Sequence, residues 1–291
     1  SPEKIGPSAP CPDDFDAFWK AKLAELAAVP ANPRLEPADG GRAGVEYGRI
    51  VMDNIRGTRI HGQWARPKDG AKLPAMLIVQ WAGVYPLQKN WVTDPAAEGW
   101  LALNIMAHDL PPDRPQEFYK EQSDGPLKDY PGIGNEDRET SYFLRMYLSC
   151  YRAAEYLAGR TDWDGRTMVV TGGSQGGLQS IMIAGLHPKI TALMASVPAG
   201  CDHTGPMAGR APGWPGWYYK TDGRDAAKVR DASRYFDVVH FAARVKCPAL
   251  VGLGLIDQTC PPAGVFAACN RMQGPCERVV LPRGDHGGSA G

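Results

Sequence analysis

The sequence predicts an α/β fold: a mainly parallel sheet with helices on both faces and an antiparallel hairpin at its N-terminal edge. Two observations lead to this prediction. From residue 75 onward, apolar runs of strand length alternate with helical patterns, and such alternation requires crossover connections, which produce parallel strands. Before them, two strand-like segments flank a turn at residues 54–57, which is typical of a hairpin.

The N-terminal half combines one predicted helix with four predicted strands. The helix covers residues 11–29, where Asp13 or Asp14 would cap it and apolar side chains recur at helical spacing. The two later apolar runs are continuous rather than alternating, as in strands that are buried on both faces of a sheet. The predicted strands are, in order, residues 45–52, 59–66, 75–81 and 100–106.

The second half alternates strands and helices more regularly. A polar loop is predicted over residues 107–138, and a long insertion covers residues 199–232. The predicted strands here are residues 167–171, 190–197, 248–255 and 278–281. The predicted helices are residues 139–158, 175–186, 233–245 and 262–272. Residues 1–291 are therefore predicted to form a single domain with a lid-like insertion.

Composition and charge exclude several classes of function. The 291 residues include 32 Lys and Arg and 32 Asp and Glu, so the net charge is zero. A nucleic-acid-binding protein would show a basic excess, and a neutral chain has no long-range attraction to anionic membranes. No stretch reaches the roughly 18 apolar residues of a membrane span. The seven cysteines are odd in number and form no CxxC motif, which favours small buried side chains, with or without one disulfide, over a zinc ribbon.

A glycine-rich turn at residues 171–177 is the strongest local signal for chemistry. It reads Thr-Gly-Gly-Ser-Gln-Gly-Gly, directly after a predicted strand and directly before a predicted helix. A Gly-x-Ser-x-Gly motif in that context is typical of a nucleophile elbow, in which a tight turn projects the hydroxyl of Ser174 from the sheet edge. Gly172 and Gly176 would leave room for the crossing backbone. A phosphate-binding loop is the rival interpretation, but the Lys-Ser/Thr pair of the Walker motif is absent.

A nucleophilic serine needs a base, and the base needs a third group that orients it. In this type of site an acid and then a histidine follow the serine along the chain. Asp257 and His286 each come directly after a predicted strand, where loops converge at the carboxyl edge of a parallel sheet. His203, in the insertion, is the rival for the role of base. Asp285 is a poor alternative acid, because adjacent side chains on a loop rarely face each other.

Six segments carry a more specific resemblance that runs over most of the chain. They are CPDDFDAFW at 11–19, VVTGGSQGG at 169–177, YFD at 235–237, FAAR at 241–244, DQTCPP at 257–262 and VFAA at 265–268. On these segments the sequence resembles the acetyl xylan esterase and cephalosporin C deacetylase group, carbohydrate esterase family 7. This family has the α/β-hydrolase fold, which the resemblance therefore implies for this chain.

The resemblance also implies roles for individual residues. Ser174, Asp257 and His286 are expected to form a catalytic triad that hydrolyses esters through an acyl-enzyme. The backbone N–H groups of Gln175 and Val84 are expected to form the oxyanion hole. Such a reaction requires no metal ion and no organic cofactor.

Three departures from the family pattern mark the chain as a divergent branch. Where the family usually reads Gly-Tyr-Asn, this chain has Gly83, Val84 and Tyr85, which keeps a backbone donor but moves the tyrosine ring. The family's Arg-Gly-Gln motif is replaced by Ala-His-Asp at residues 107–109, and its His-Glu by His-Gly at residues 286–287. None of these changes removes a predicted catalytic group.

The implied substrate is an acetylated carbohydrate, either xylan or xylooligosaccharides. Tyr85, Trp214 and Trp217 are candidate substrate-binding side chains, because flat aromatic rings stack on sugars, although a packed lid or a subunit contact is the alternative for the aromatic residues of the insertion. The family often assembles into rings, so a homo-oligomer is a further expectation. A serine peptidase with the same triad, or an esterase for another small acyl ester, remains the alternative function.

The two ends of the sequence carry only weak expectations. Residues 1–10 show neither a basic nor an apolar signal segment, so a removed leader or a trimmed end are both open. The size of xylan slightly favours a secreted or periplasmic location. An α/β-hydrolase normally adds a helix after its histidine, and the five residues after His286 are too few to form one.

Overall fold

The computed structural model describes residues 1–289, which are built around a nine-stranded sheet. Its strands are β1 (Arg34–Ala38), β2 (Val45–Asp53), β3 (Arg59–Pro67), β4 (Leu73–Val79), β5 (Leu101–Ile105), β6 (Trp163–Gly173), β7 (Ala192–Ser196), β8 (Ala249–Gly254) and β9 (Cys276–Leu281). They lie in the order β1-β2-β3-β5-β4-β6-β7-β8-β9. The pairs β1–β2, β2–β3 and β3–β5 are antiparallel. The remaining pairs, from β5–β4 to β8–β9, are all parallel. The predicted fold class is confirmed.

The described residues also form eight α-helices. They are α1 (Phe15–Ala27), α2 (Asn90–Ala97), α3 (Gln116–Asp124), α4 (Tyr142–Ala158), α5 (Gln175–Leu186), α6 (Ala226–Ser233), α7 (Val238–Ala242) and α8 (Pro262–Cys269). Helix α5 is the central one, since its residues 175–184 are all buried. No helix in the described part of the chain has both the length and the apolar character that crossing a bilayer requires.

Helices cover the two faces of the sheet unequally. Alternate residues of β4 point to opposite faces, and Leu77 belongs to the main core while Ile78 packs on a smaller cluster around α2. On that second face, beyond α2, the apolar side chains of Met194, Leu250 and Val279 stay partly exposed and line a groove of about 680 Å³. Within residues 1–289, helix α2 therefore covers the second face chiefly over strands β2, β3 and β5.

Several predicted element boundaries are corrected by the structure. The N-terminal helix covers Phe15–Ala27 rather than 11–29. The helix predicted over 233–245 is shorter than predicted, since α7 covers only Val238–Ala242. Asp237 caps its start, its carboxylate accepting a hydrogen bond from the N–H of Val239 at 3.1 Å. The loop predicted over 107–138 contains α3, and the exposed strand β1 and the helix α2 were not predicted.

All seven cysteines carry free thiols. Four of them, Cys150, Cys201, Cys260 and Cys269, are buried, and the other three are partly buried. The prediction of small buried side chains therefore holds without the optional disulfide.

The N-terminal segment is tied to parts of the chain that lie far away in sequence. The Ser8 hydroxyl and N–H donate to one carboxylate oxygen of Asp202 at 2.6 and 2.8 Å. The indole N–H of Trp19 donates to the carbonyl of Tyr235 at 3.0 Å, and the Asn270 amide donates to the carbonyl of Ile5 at 2.9 Å. The contact with Asp202 fastens the start of the predicted insertion, whereas the other two reach residues that follow the insertion. That the insertion acts as a lid remains a prediction.

Candidate active site

Ser174 occupies a strained turn between β6 and α5. Its φ angle is +53°, a conformation that L-residues rarely adopt and that often marks a functional position. The neighbouring glycines are required by space: a Cβ on Gly172 would lie 2.6 Å from the backbone of Gly176, and one on Gly176 would lie 2.6 Å from the carbonyl oxygen of Val79. The serine side chain is partly exposed at the sheet edge, as the sequence motif predicts.

The structure brings the three predicted triad residues together. His286 Nε2 lies 3.0 Å from Ser174 Oγ, and His286 Nδ1 lies 2.9 Å from Asp257 Oδ2. A carboxylate oxygen can only accept, so the proton of a neutral imidazole sits on Nδ1. Nε2 then accepts from the serine hydroxyl, which is the orientation that a general base requires.

Asp257 is fixed by the backbone of its own loop. Its second carboxylate oxygen accepts hydrogen bonds from the N–H groups of Thr259 and Cys260, both at 2.8 Å. The side chain is almost fully buried, whereas 30% of the His286 side chain is exposed. An aspartate that is held in this way can orient the imidazole, which stays partly exposed.

The loop that carries His286 approaches the end of β8 very closely. A Cβ on Gly254 would lie 2.1 Å from the carbonyl oxygen of Gly284, so only glycine permits this approach at position 254. The N–H of Ile256 donates to the same carbonyl at 3.1 Å. Two short strands, β10 (Gly284–Asp285) and β11 (Gly288–Ser289), flank the histidine. The acid loop and the histidine loop are thus held against each other.

The two predicted oxyanion donors lie on adjoining segments. Gln175 is the first residue of α5, where unpaired N–H groups and the helix dipole favour negative charge. The Tyr130 hydroxyl joins the two segments, since it lies 2.5 Å from Gln175 Oε1 and 3.3 Å from the backbone nitrogen of Gly83. Gly83, Val84, Tyr130 and Trp214 line a cleft of about 410 Å³.

The three predicted substrate-binding aromatic residues have different environments. Trp214 lines the cleft and is half-buried. The Tyr85 ring stacks on Trp81 with centroids 5.1 Å apart, and its hydroxyl donates to the Trp81 carbonyl at 2.9 Å, so its polar end is already occupied. The prediction for Trp217 is wrong, because this side chain is 3% exposed and packs on Phe143. Its indole N–H donates inward to a backbone carbonyl, and no face is left for a sugar.

Cys260 is a residue at the site that the sequence did not single out for chemistry. Its thiol lies within 4.8 Å of ligand atoms of Asp257 and His286, and burial raises the pKa of this thiol to about 12. It is therefore neutral at physiological pH and no rival nucleophile. Asp257, Cys260 and His286 offer ligand atoms within 4.8 Å of one another, a set that could hold a metal ion. The same atoms of Asp257 and His286 are engaged in the hydrogen bonds described above.

His203, the rival base, lies away from this group. It is 2% exposed, its ring packs 4.8 Å from that of Trp217, and its Nε2 has no hydrogen-bond partner among the described residues. Burial lowers the pKa of His203 to about 3. A side chain in this position is part of the packing of the insertion.

We expect His203 to make the fold sensitive to acid. An unfolded histidine takes up a proton near pH 6.5, but the folded chain resists this until about pH 3, so stability present above pH 6.5 is lost as the pH falls. Through this histidine alone, the free energy of unfolding should fall by about 2 kcal/mol as the pH is lowered from 7.5 to 5. Denaturant titrations at pH 7.5 and pH 5 should show that the wild type loses about 2 kcal/mol more stability than His203→Phe does. Parallel pH profiles would contradict it.

Comparison with known proteins finds relatives along almost the whole chain. The sequence matches the family described as acetyl xylan esterase (AXE1) over residues 3–291. It is 33% identical to acetyl esterase Axe7A of Xylanibacter ruminicola over 98% of this chain, which spans 66% of that relative's length.

Two solved structures have closely similar folds. The acetyl xylan esterase from Paenibacillus sp. R4 is 26% identical, with a TM-score of 0.84 over 98% of this chain and 93% of that one. Acetyl xylan esterase 1 from Thermoanaerobacterium sp. JW/SL YS485 is 24% identical, with a TM-score of 0.82 over 100% of this chain and 93% of that one. The extent of the sequence match and the shared architecture lead to one conclusion: this chain belongs to the acetyl xylan esterase family, a family of carboxylic ester hydrolases.

Proposed function

We propose that this chain is a serine esterase that removes acetyl groups from carbohydrates, with Ser174, His286 and Asp257 as its catalytic triad. The observation that carries the proposal is the continuous hydrogen-bonded path from Ser174 Oγ through both ring nitrogens of His286 to the Asp257 carboxylate. The path lies at the elbow of a chain from the acetyl xylan esterase family, and its geometry matches the requirement for nucleophilic ester cleavage.

The reaction would proceed in two halves. In the first, Ser174 Oγ attacks the acetyl carbonyl while His286 Nε2 takes the hydroxyl proton, and Asp257 stabilises the imidazolium that forms. The tetrahedral intermediate collapses when the imidazolium gives its proton to the leaving sugar oxygen, which departs as an alcohol. In the second, a water molecule attacks the acetyl-enzyme by the same route, and acetate leaves with Ser174 restored. The N–H groups of Gln175 and Val84 would stabilise the oxyanion in both halves.

The cleft beside the elbow supports a carbohydrate as the alcohol part of the ester. Trp214 offers a partly exposed aromatic surface there, and aromatic rings pack on the apolar faces of sugars. Asp129 and Lys220 lie in the same cleft, 2.8 Å apart as an ion pair, and can form hydrogen bonds with hydroxyl groups. Two similar proteins are named acetyl xylan esterases, so acetylated xylan and xylooligosaccharides are the substrates that we propose.

A substrate panel tests this proposal. We expect wild-type protein to hydrolyse 4-nitrophenyl acetate and to release acetate from acetylated xylooligosaccharides. A site selective for acetyl groups should lower kcat/KM by at least tenfold from the acetyl to the octanoyl aryl ester, since each methylene that such a site does not accommodate costs on the order of a kcal/mol. Acetate release is measured by an enzyme-coupled assay.

The same panel separates the alternatives. Faster cleavage of blocked peptides than of any ester would identify a peptidase, and the carbohydrate proposal would be abandoned. Efficient hydrolysis of simple acyl esters without acetate release from acetylated sugars would point to another small acyl substrate. A homo-oligomer remains a prediction of the family resemblance and is independent of these outcomes.

A further inference from the structure

His108 contacts the segment that carries the Val84 N–H. It lies three residues beyond the end of β5, is 0% exposed, and its Nε2 lies 2.9 Å from the carbonyl oxygen of Gly83. Because a carbonyl oxygen can only accept, Nε2 must carry the proton and donate it. The other ring nitrogen, Nδ1, then accepts from the Tyr142 hydroxyl at 2.7 Å. This histidine takes no part in the proposed triad.

The bonded carbonyl belongs to the peptide unit whose N–H is that of Val84. In a trans peptide the C=O of one residue and the N–H of the next point in opposite directions. Fixing the Gly83 carbonyl toward His108 therefore fixes the direction of the Val84 N–H on the other side of the same plane. A hydrogen bond to the carbonyl oxygen also polarises the amide and makes its N–H a stronger donor.

This peptide would otherwise rotate with little resistance. Gly83 lacks a Cβ, so its ψ torsion, about which this peptide turns, meets less steric restriction than in any other residue; its φ of +123° is one that L-residues rarely adopt. Two hydrogen bonds hold the residue: its N–H donates to the Tyr130 hydroxyl at 3.3 Å, and its carbonyl accepts from His108 at 2.9 Å. The bond to His108 is the shorter of the two.

We propose that His108 is a positioning residue that orients and polarises the Gly83–Val84 peptide as an oxyanion donor. The inference rests on the proposed esterase function. Burial lowers the pKa of His108 to about 4, so the ring stays neutral, with its single proton on Nε2, throughout the pH range of an ordinary assay. The hydrogen bonds of Tyr142 and Gly83 select that tautomer.

Kinetics of three variants test the role. His108→Leu removes the donor, and we expect kcat for 4-nitrophenyl acetate to fall by about 10- to 100-fold with KM within about twofold, since an oxyanion contact acts mainly in the transition state. His108→Gln places an amide N–H near the position of Nε2. We expect it to recover at least a third of the decrease in log kcat that His108→Leu causes. His187→Leu is the matched control, because His187 is also buried and hydrogen-bonded but lies at the far end of α5, roughly 18 Å from Ser174.

A second readout does not depend on turnover. Protein labelled with [1-¹³C]glycine and [¹⁵N]valine gives one HNCO cross-peak for each Gly-Val pair, and the sequence has three, at 44–45, 83–84 and 264–265. We expect His108→Leu to move the carbonyl and amide shifts of the 83–84 pair and to leave the other two peaks unchanged. Val84→Ala removes one peak and thereby assigns it.

The outcomes distinguish a failure of this inference from a failure of the proposed function. If wild type hydrolyses the ester through Ser174 while His108→Leu keeps its kcat, or if the 83–84 peak does not move, His108 has no positioning role and the esterase proposal stands. If kcat falls equally in His108→Leu and His187→Leu, the effect is one of general packing and the inference is wrong. If the 83–84 peak moves but wild type hydrolyses no ester, the contact exists without the function, and both proposals are overturned.

Discussion

Ser174→Ala is expected to lower kcat for aryl acetates by about 10⁴- to 10⁶-fold, close to the rate that binding and the oxyanion donors alone can support. The physical reason is that no other nucleophile stands in its place. The thiol of Cys260 lies beside Asp257 and His286, but its pKa of about 12 keeps it protonated. The measurement is steady-state hydrolysis with enough enzyme to detect a residual rate.

The control for Ser174→Ala concerns labelling and stability. Wild-type protein should react with a fluorophosphonate at one serine, identified by mass spectrometry, and the alanine variant should not react. The two proteins should have the same thermal midpoint to within about 2 °C, because the serine hydroxyl is partly exposed and serves as no helix cap. Residual activity within tenfold of wild type would refute the assignment of the nucleophile.

Asp257→Asn is the second substitution with a large expected effect, a loss of about 10⁴-fold in kcat. An asparagine amide can donate to His286 Nδ1, where the aspartate can only accept, and this would move the ring proton to Nε2. In that tautomer Nε2 can no longer take the proton of Ser174, which it now approaches at 3.0 Å. Hydrolysis rates measured across pH 6 to 9 would check this result.

Asp285→Asn provides a matched control. Asp285 precedes His286 in sequence, but its carboxylate is exposed and accepts from the N–H of Gly287 at 2.9 Å. We expect its kcat to stay within about threefold of wild type. The double variant Ser174→Ala, Asp257→Asn should be no slower than Ser174→Ala alone, because members of a triad act as a unit. A further large loss in the double variant would mean that Asp257 acts independently of the serine.

The parts of the fold that periodicity marks strongly were predictable from sequence. Helix α5 was predicted at its observed bounds, because a strand, a glycine-rich turn and a buried apolar helix follow one another directly. Elements with weak patterns were missed. Strand β1 is exposed along its whole length and contains Pro37, and α2 is a short helix with Pro95 inside it, so tertiary packing rather than local preference determines both.

The site could be predicted only as far as sequence order constrains it. Ser174, Asp257 and His286 follow β6, β8 and β9, and topology brings the ends of parallel strands together. Tyr130 carries no local signal, and His108 stands out only as part of the replaced Arg-Gly-Gln motif. Their hydrogen bonds reach residues 45 and 25 positions away, respectively. Trp217 was misassigned for a related reason: a tryptophan among prolines and glycines resembles an exposed loop residue, and only the packing against Phe143 shows otherwise.

The long-range attachment of the N-terminal segment has a consequence for the order of folding. Ser8 reaches Asp202 across 194 positions and Asn270 reaches Ile5 across 265, and contacts between such distant positions form slowly because long loops must close first. Helical circular dichroism should therefore return early in refolding, and ester hydrolysis late. During synthesis from the N-terminus, the hydrogen bond of Ser8 could form only after residue 202 has emerged, and that of Ile5 only after residue 270.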